Sequence, residues 1–318
     1  MQIVFAGSIA YDYLMTFPGH FREHFLDGKL ESISLSFLVD GMTRHRGGVA
    51  PNIAYTYALL GGKGTILGAA GAEDFSDYKA ALEGLGIDCS GIRLMPGMFT
   101  ASFFANTDLS KNQIASFYPG AMSHARHCRI QDLPFTPDLV VISADDPVAM
   151  REHVRECKAL GVPYLYDPSQ QLVRMTPEEL REGVEGAHML ALNEYEWHLV
   201  QENLKLSLDD VLGMGTILIN TLGKQGVRVY ADGEAYFVEA ADAVNTDPTG
   251  AGDAFRGGFL RGYAAGLPWE VCAQMGNLSS AYCIEQVGTQ NHRFTVAEFK
   301  ARYAANYGDP AVLSPVVG

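Results

Sequence analysis

Residues 247–253, Asp247-Pro248-Thr249-Gly250-Ala251-Gly252-Asp253, set two glycines and an acid where a helical pattern begins. Phe255, Phe259 and Gly262 follow at helical spacing, so Gly250–Asp253 reads as a helix start. A helix start exposes unpaired backbone N–H groups and partial positive charge. Glycine removes the Cβ that would keep a ligand off those amides. Gly250, Ala251 and Gly252 are therefore candidates for an anion hole, and Asp253 for a base held beside a phosphoryl group. The plainer alternative is a capped helix, with Thr249 as the cap and Asp253 at the positive end of the dipole.

Three other segments point the same way. HRGGVAPNIAYTYALLGG (45–62) sets Gly47-Gly48 before a second helix start, with Asn52 entering its first turn. LNEYEWHL (192–199) puts Asn193 and Glu196 at the end of a strand and three residues apart, which suits a hydrated Mg²⁺. GSIAYDYL (7–14) sets Ser8 and Asp12 just past the first strand, at the carboxyl edge where open parallel sheets bind ligands. Other apparent motifs fail. Gly61-Gly62-Lys63-Gly64-Thr65 lacks both the Ser/Thr after its lysine and the earlier glycine of a phosphate loop, and Gly62-x-Gly64 lacks the third glycine of a dinucleotide fingerprint. His124, His127 and Cys128 have no second ligand pair and read as loop residues rather than a zinc site.

Positioning these groups requires a sheet with a common carboxyl edge. Apolar, β-rich runs at Ile3–Ala6, Thr65–Gly68, Asp138–Ser143, Tyr164–Tyr166, Met189–Leu192 and Thr216–Asn220 alternate with helical patterns at Pro147–Leu160, Thr176–Ala187 and Glu194–Asn203. That rhythm predicts an α/β fold whose mostly parallel sheet is covered on both faces, with a mainly helical layer after Pro268. Residues 13–45 and 98–120 instead alternate residue by residue and predict added antiparallel strands in a small sheet. The large domain is thus expected at 1–12, 46–97 and 121–318. The small sheet is read as a lid that excludes water, and its exposed edges also suit a homodimer.

Composition bounds the partners. The 318 residues carry 23 Lys/Arg against 37 Asp/Glu, a net charge of −14 that argues against nucleic acid or an anionic membrane. Five scattered cysteines and a start without a basic, cleavable leader predict reduced thiols in a cytoplasmic setting.

Taken in order, Gly47-Gly48-Val49-Ala50-Pro51-Asn52, Asn193-Glu194-Tyr195-Glu196 and Asp247–Asp253 resemble the G-G-x-x-x-N, N-x-x-E and D-T-x-G-A-G-D motifs of the ribokinase (PfkB) family, with Pro248 where threonine is usual. The resemblance covers nearly the whole chain. It implies a ribokinase-like three-layer α/β/α fold with a small discontinuous β-sheet lid. GSIAYDYLMTFPG, SLSFLVDGMTRHRGGVAPN, QIASFYPGAM and DPSQQLVR look most like the bacterial adenosine kinases of that family. The implied activity is ATP- and Mg²⁺-dependent phosphorylation of a ribonucleoside 5′-hydroxyl, adenosine to AMP, in purine salvage. By the same resemblance Asp12 binds the ribose hydroxyls, Gly48 and Asn52 contact the sugar, and Phe103 and Phe117 of the lid-like region sandwich a purine. Gln170, Gln171 and Arg174 are implied base or ribose contacts, as is Ser36. Thr221, Gly223 and Lys224 hold ATP, Asn193 and Glu196 organise Mg²⁺ through water, and Asp247, Thr249 and Gly288 surround K⁺ or another monovalent cation. The rivals are a kinase for a free sugar such as ribose or fructose, and a non-catalytic nucleoside-binding protein on the same scaffold.

Overall fold

A computed structural model describes residues 1–24 and 35–316. The fully buried β1 (Ile3–Ala6) is followed after a short bend by β2 (Ala10–Thr16), and β3 (Gly41–Gly47) runs straight into α1 (Val49–Leu59). Then come β4 (Gly64–Gly71), α2 (Ser76–Gly84), β5 (Asp88–Met95) and the hairpin β6 (Ala101–Thr107) with β7 (Gln113–Tyr118). The alternating part continues through β8 (Leu139–Ser143), α3 (Pro147–Leu160), β9 (Tyr164–Asp167), α4 (Pro177–Val184), β10 (Met189–Asn193), α5 (Glu194–Leu204), α6 (Leu208–Gly213) and β11 (Ile217–Thr221). β12 (Val227–Ala231) and β13 (Glu234–Val238) form a hairpin, and α7 (Ala251–Ala264), α8 (Trp269–Ile284) and α9 (Val296–Tyr307) end the chain.

Among the described residues the large sheet has nine strands in the order β13-β12-β11-β10-β9-β8-β1-β4-β5, parallel except for the β12–β13 edge. Alternate residues of each central strand feed two cores, which is why these strands read as continuous apolar runs. Phe5, Val141, Leu165, Met189 and Ile219 face α1 and α7 through Ile53, Tyr57, Phe255 and Phe259. Val4, Val140, Leu190 and Leu218 face α3, α4 and α5 through Met150, Val154, Leu180 and Val200. The helix signals are equally direct: α3 begins at the expected Pro147, and Thr176 forms a capping box with Glu179 at the start of α4.

Several expectations need correction. β5, β12 and β13 are absent from the predicted runs; they lie at or next to the edges of the sheet, and none is buried along its whole length as the central strands are. The β12–β13 turn at Asp232-Gly233, both with positive φ, was a readable hairpin signal. The small sheet, β3-β2-β6-β7, is not purely antiparallel: its central pair β2–β6 is parallel, since the two strands come from separate chain segments and need no tight turn between them. Moreover β2 starts at Ala10, ahead of the expected 13–45 segment, so Asp12 stands on the small sheet, paired with His45 and Phe103. Residues 25–34 of the predicted 13–45 segment lie outside the described residues.

Candidate active site

Two clefts meet at the start of α7. The first, ≈ 460 Å³, opens between the sheets and is lined by Ser8, Asp12, Gly48, Asn52, Phe103, Phe117, Gln170, Gln171 and Arg174, with Thr249, Gly250 and Asp253 on its floor side. The second, ≈ 780 Å³, is lined by Asn193, Thr221, Gly223 and Lys224, with Pro248, Ala251 and Gly252. Consecutive residues of one helix start therefore face opposite ways. Ser36 is exposed and lines neither cleft; Glu196, Asp247 and Gly288 are set back from both.

The helix start is uncapped by any side chain. Its N-cap is Gly250, at φ 80°, and not Thr249 as the capped-helix alternative had it. A Cβ on Gly250 would meet Thr289 Cγ2 at 2.8 Å, so both conformation and space require glycine here. The Ala251 amide already donates to Pro248 O at 3.2 Å. The amides of Gly252 and Asp253 have no acceptor among the described residues, so these two are free to meet a ligand. At α1 the other double glycine serves a different end. Gly48 (φ 92°) passes so close to the β1–β2 bend that a Cβ would lie 2.5 Å from Ser8 O.

Asp253 is largely buried, its side chain 13% exposed, and is held through both oxygens. Asn52 Nδ2 donates to Oδ2 at 2.8 Å and Arg256 Nη2 to Oδ1 at 2.8 Å. Burial raises its pKa, while Arg256 and the Asn52 hydrogen bond oppose the rise. Asn52 is itself fixed: its Oδ1 accepts from Gln290 Nε2 at 2.8 Å and Thr289 Oγ1 at 2.9 Å. Arg256 also reaches Asp167 Oδ2 at 2.9 Å. None of Thr289, Gln290, Arg256 or Asp167 was singled out from the sequence. A basic residue one turn after Asp253 was a usable signal for Arg256; the others meet the site only through the fold.

In the first cleft Asp12 has no hydrogen-bond donor among the described residues, and it lines the cleft with Oδ2 lying close over Gly47. Burial pushes its pKa to about 6, with His45 opposing and Asp253 and Asp247 adding to the shift. Phe103 and Phe117 are direct cross-strand partners. Partners on one face stand side by side, so they make one aromatic wall rather than the two jaws of a sandwich. Ser169, a non-glycine at φ 46°, turns the chain after β9 and presents Gln170, Gln171 and Arg174 to the cleft. Gln171 is only 7% exposed, and its Oε1 is unpartnered among the described residues. An orphaned buried acceptor on a cleft wall is suited to a ligand's donor group.

Asn193 and Glu196 close a capping box on α5. Asn193 Oδ1 accepts from the Glu196 amide at 2.8 Å, and Glu196 Oε2 from the Asn193 amide at 2.8 Å. Glu196 Oε1 remains available, so the pair can still accept hydrogen bonds from metal-bound water. Asp247 spans its loop, taking the Thr249 amide at 2.9 Å and the Gly288 amide at 3.0 Å. Burial pushes its pKa upward, but the Thr249 and Gly288 hydrogen bonds prevail and hold it below the usual range. Among the described residues no group of three or more His, Cys, Asp or Glu side chains could hold a metal, and no helix is long and apolar enough to cross a membrane.

Two free helix-start amides and a largely buried carboxylate where two clefts meet, on an α/β fold with a separate small sheet, suit a group-transfer enzyme. Residues 11–295 match the pfkB family of carbohydrate kinases, and the chain belongs to that family; it is a phosphotransferase with a hydroxyl acceptor. A nucleoside kinase of Methanothermobacter thermautotrophicus is 27% identical over 313 residues, covering 96% of this chain and 97% of the relative. The nucleoside kinase of Burkholderia thailandensis in complex with inosine is similar at TM-score 0.86 and 34% identity, over 96% of this chain and 99% of that one. The same enzyme in complex with ADP-inosine gives 0.83 and 36%, over 96% of each chain.

Proposed function

We propose that this protein transfers the γ-phosphoryl group of ATP to the 5′-hydroxyl of a purine ribonucleoside, with adenosine as the expected acceptor and AMP as product. The observation that carries this reading is the position of Asp253, which lines the first cleft beside free helix-start amides, with Ala251 and Gly252 lining the second. The relatives that bind inosine and ADP-inosine support a nucleoside in one cleft and a nucleotide in the other.

Phosphoryl transfer needs alignment and charge neutralisation more than covalent chemistry. In this reading the acceptor lies in the first cleft, its ribose hydroxyls on Asp12 and its base along the Phe103–Phe117 wall. Asp253 orients the 5′-hydroxyl and takes its proton as the new P–O bond forms. The carboxylate can do so while gripped by Asn52 and Arg256, because each oxygen keeps a further acceptor site. The Gly252 and Asp253 amides stabilise charge on the transferred group. Thr221, Gly223 and Lys224 hold the nucleotide in the second cleft. A Mg²⁺ held through water by Asn193 and Glu196 would neutralise its phosphates, and a monovalent cation at the Asp247–Thr249–Gly288 loop would stiffen the helix start. The small sheet is the lid, and closing it excludes water from the transfer.

Two acids in the first cleft, Asp12 and Asp253, disfavour an acceptor that already carries phosphate, and a flat aromatic wall favours a base over a bare sugar. A coupled ATP-consumption assay over nucleosides and free sugars, with and without K⁺, tests the assignment. Adenosine or inosine is expected to give the highest kcat/KM. Faster turnover of ribose or fructose would overturn it.

A further inference from the structure

Arg256 Nη2 stands between two carboxylates: it is hydrogen-bonded to Asp253 Oδ1 at 2.8 Å and forms an ion pair with Asp167 Oδ2 at 2.9 Å, although neither Asp167 oxygen has a hydrogen-bond partner among the described residues. Asp167 ends β9 and is fully buried, so it roots the guanidinium in the central sheet. On its other side Asp253 is held by Asn52, which α1 and the Thr289-Gln290 loop fix in turn. The acid is thus gripped from two independent parts of the fold.

We propose that Arg256 is a positioning residue for phosphoryl transfer, fixing the Asp253 carboxylate and keeping it ionised, and that Asp167 sets how much of the Arg256 charge Asp253 feels. The proposal rests on Asp253 being the base. Two buried carboxylates sharing one guanidinium leave one negative charge uncompensated. Burial pushes Asp167 up to about 7, against the pull of Arg256 and with Glu196 and Asp253 adding to the rise. When Asp167 takes a proton, the guanidinium is left to Asp253. The other titratable groups around the cluster are Glu196 from α5, Asp12 from β2 and Cys283 from α8, with His45 of β3 and Asp247 acting on Asp12. Arg256 is the cation that directly opposes the shift at Asp253.

Two substitutions therefore push in opposite directions. Arg256→Met removes the favourable charge and raises the Asp253 pKa, so the acid limb of kcat moves to higher pH. Asp167→Asn removes a like charge and frees Arg256, so the limb moves to lower pH. A merely structural role would lower stability in both variants without separating their profiles.

The test is kcat against pH from 5 to 9 with MgATP and whichever of adenosine or inosine turns over faster, with nucleoside Kd measured alongside. Arg256→Met is expected to shift the acid limb up by at least ~1 pH unit and lower kcat at neutral pH by at least ~10-fold, with Kd within ~3-fold of the parent. Arg256→Lys should restore the parental limb in part, and Asp167→Asn should move it down. If Arg256→Met does not fold, Asp167→Asn decides alone. Superimposable limbs for the parent and Asp167→Asn, or a nucleoside Kd that worsens as much as kcat in Arg256→Met, would overturn the proposal. Asp253→Asn separates the two levels: normal turnover there defeats the base assignment itself, whereas an inactive Asp253→Asn with unmoved limbs in the other variants defeats only the role of Arg256.

Discussion

The first cleft takes its walls from both sheets and gathers partly buried acids, amides and an aromatic pair, with Asp12 and Gln171 Oε1 left without hydrogen-bond partners among the described residues. The second lies among the turn after β11, the 240–248 segment and α8, and offers mainly backbone and small side chains, with exposed Lys224 as its one cation among the described residues. A cleft rich in partly satisfied, desolvated groups discriminates strongly, because a wrong ligand leaves those groups unpaired. A cleft of backbone amides and one flexible lysine holds phosphate by dipoles and point charge. Acceptor choice should therefore be fragile under substitution, and donor binding tolerant.

Substitutions on each side of α7 sharpen that contrast. Asp12→Ala removes the charged acceptor proposed for the ribose hydroxyls and is expected to raise nucleoside KM ~10–100-fold, with ATP KM nearly unchanged in initial-rate measurements. In the parent enzyme the same KM should rise as pH falls below about 6, where Asp12 becomes protonated. Phe117→Ala, at an exposed position, should raise nucleoside KM ~3–10-fold while thermal denaturation shows an unchanged Tm. In the second cleft Lys224→Ala should raise ATP KM by no more than ~5-fold, as expected for an exposed ion pair. Equal sensitivity on both sides would break the comparison.

A smaller effect comes from a buried acid that lines neither cleft. Asp145 is pushed up to about 8 by burial, with Asp146 adding and the hydrogen bond from its amide opposing. Because the folded protein holds this proton more tightly than the unfolded chain, stability falls as pH rises from about 4 through 8. Asp145→Asn should flatten that slope, which differential scanning calorimetry at pH 5 and 8 would read as a Tm difference reduced by ~2 °C or more.

What the sequence disclosed follows the range of each interaction. Gly250, Gly252 and Asp253 are neighbours in the chain, and their chemistry is local to one helix start. Arg256 lies one turn further and was within reach of the same reasoning. Thr289 and Gln290 meet Asn52 across 237 and 238 residues, so only the folded chain brings them together. The same holds for Asp167, which reads as an ordinary strand end until α7 covers it. The strands of the small sheet were visible as alternation, but their parallel central pair was not, because pairing between distant segments leaves no turn to read. Thr249 looked like a cap by residue type, yet positive φ at Gly250 shifts the cap by one residue and frees the amides.

Transfer turns on one carboxylate, and the decisive substitution is Asp253→Asn, with kcat, nucleoside Kd and Tm measured on one preparation. A folded protein is expected, with kcat lower by at least ~10²-fold and nucleoside Kd within ~3-fold. Turnover equal to the parent enzyme would contradict it.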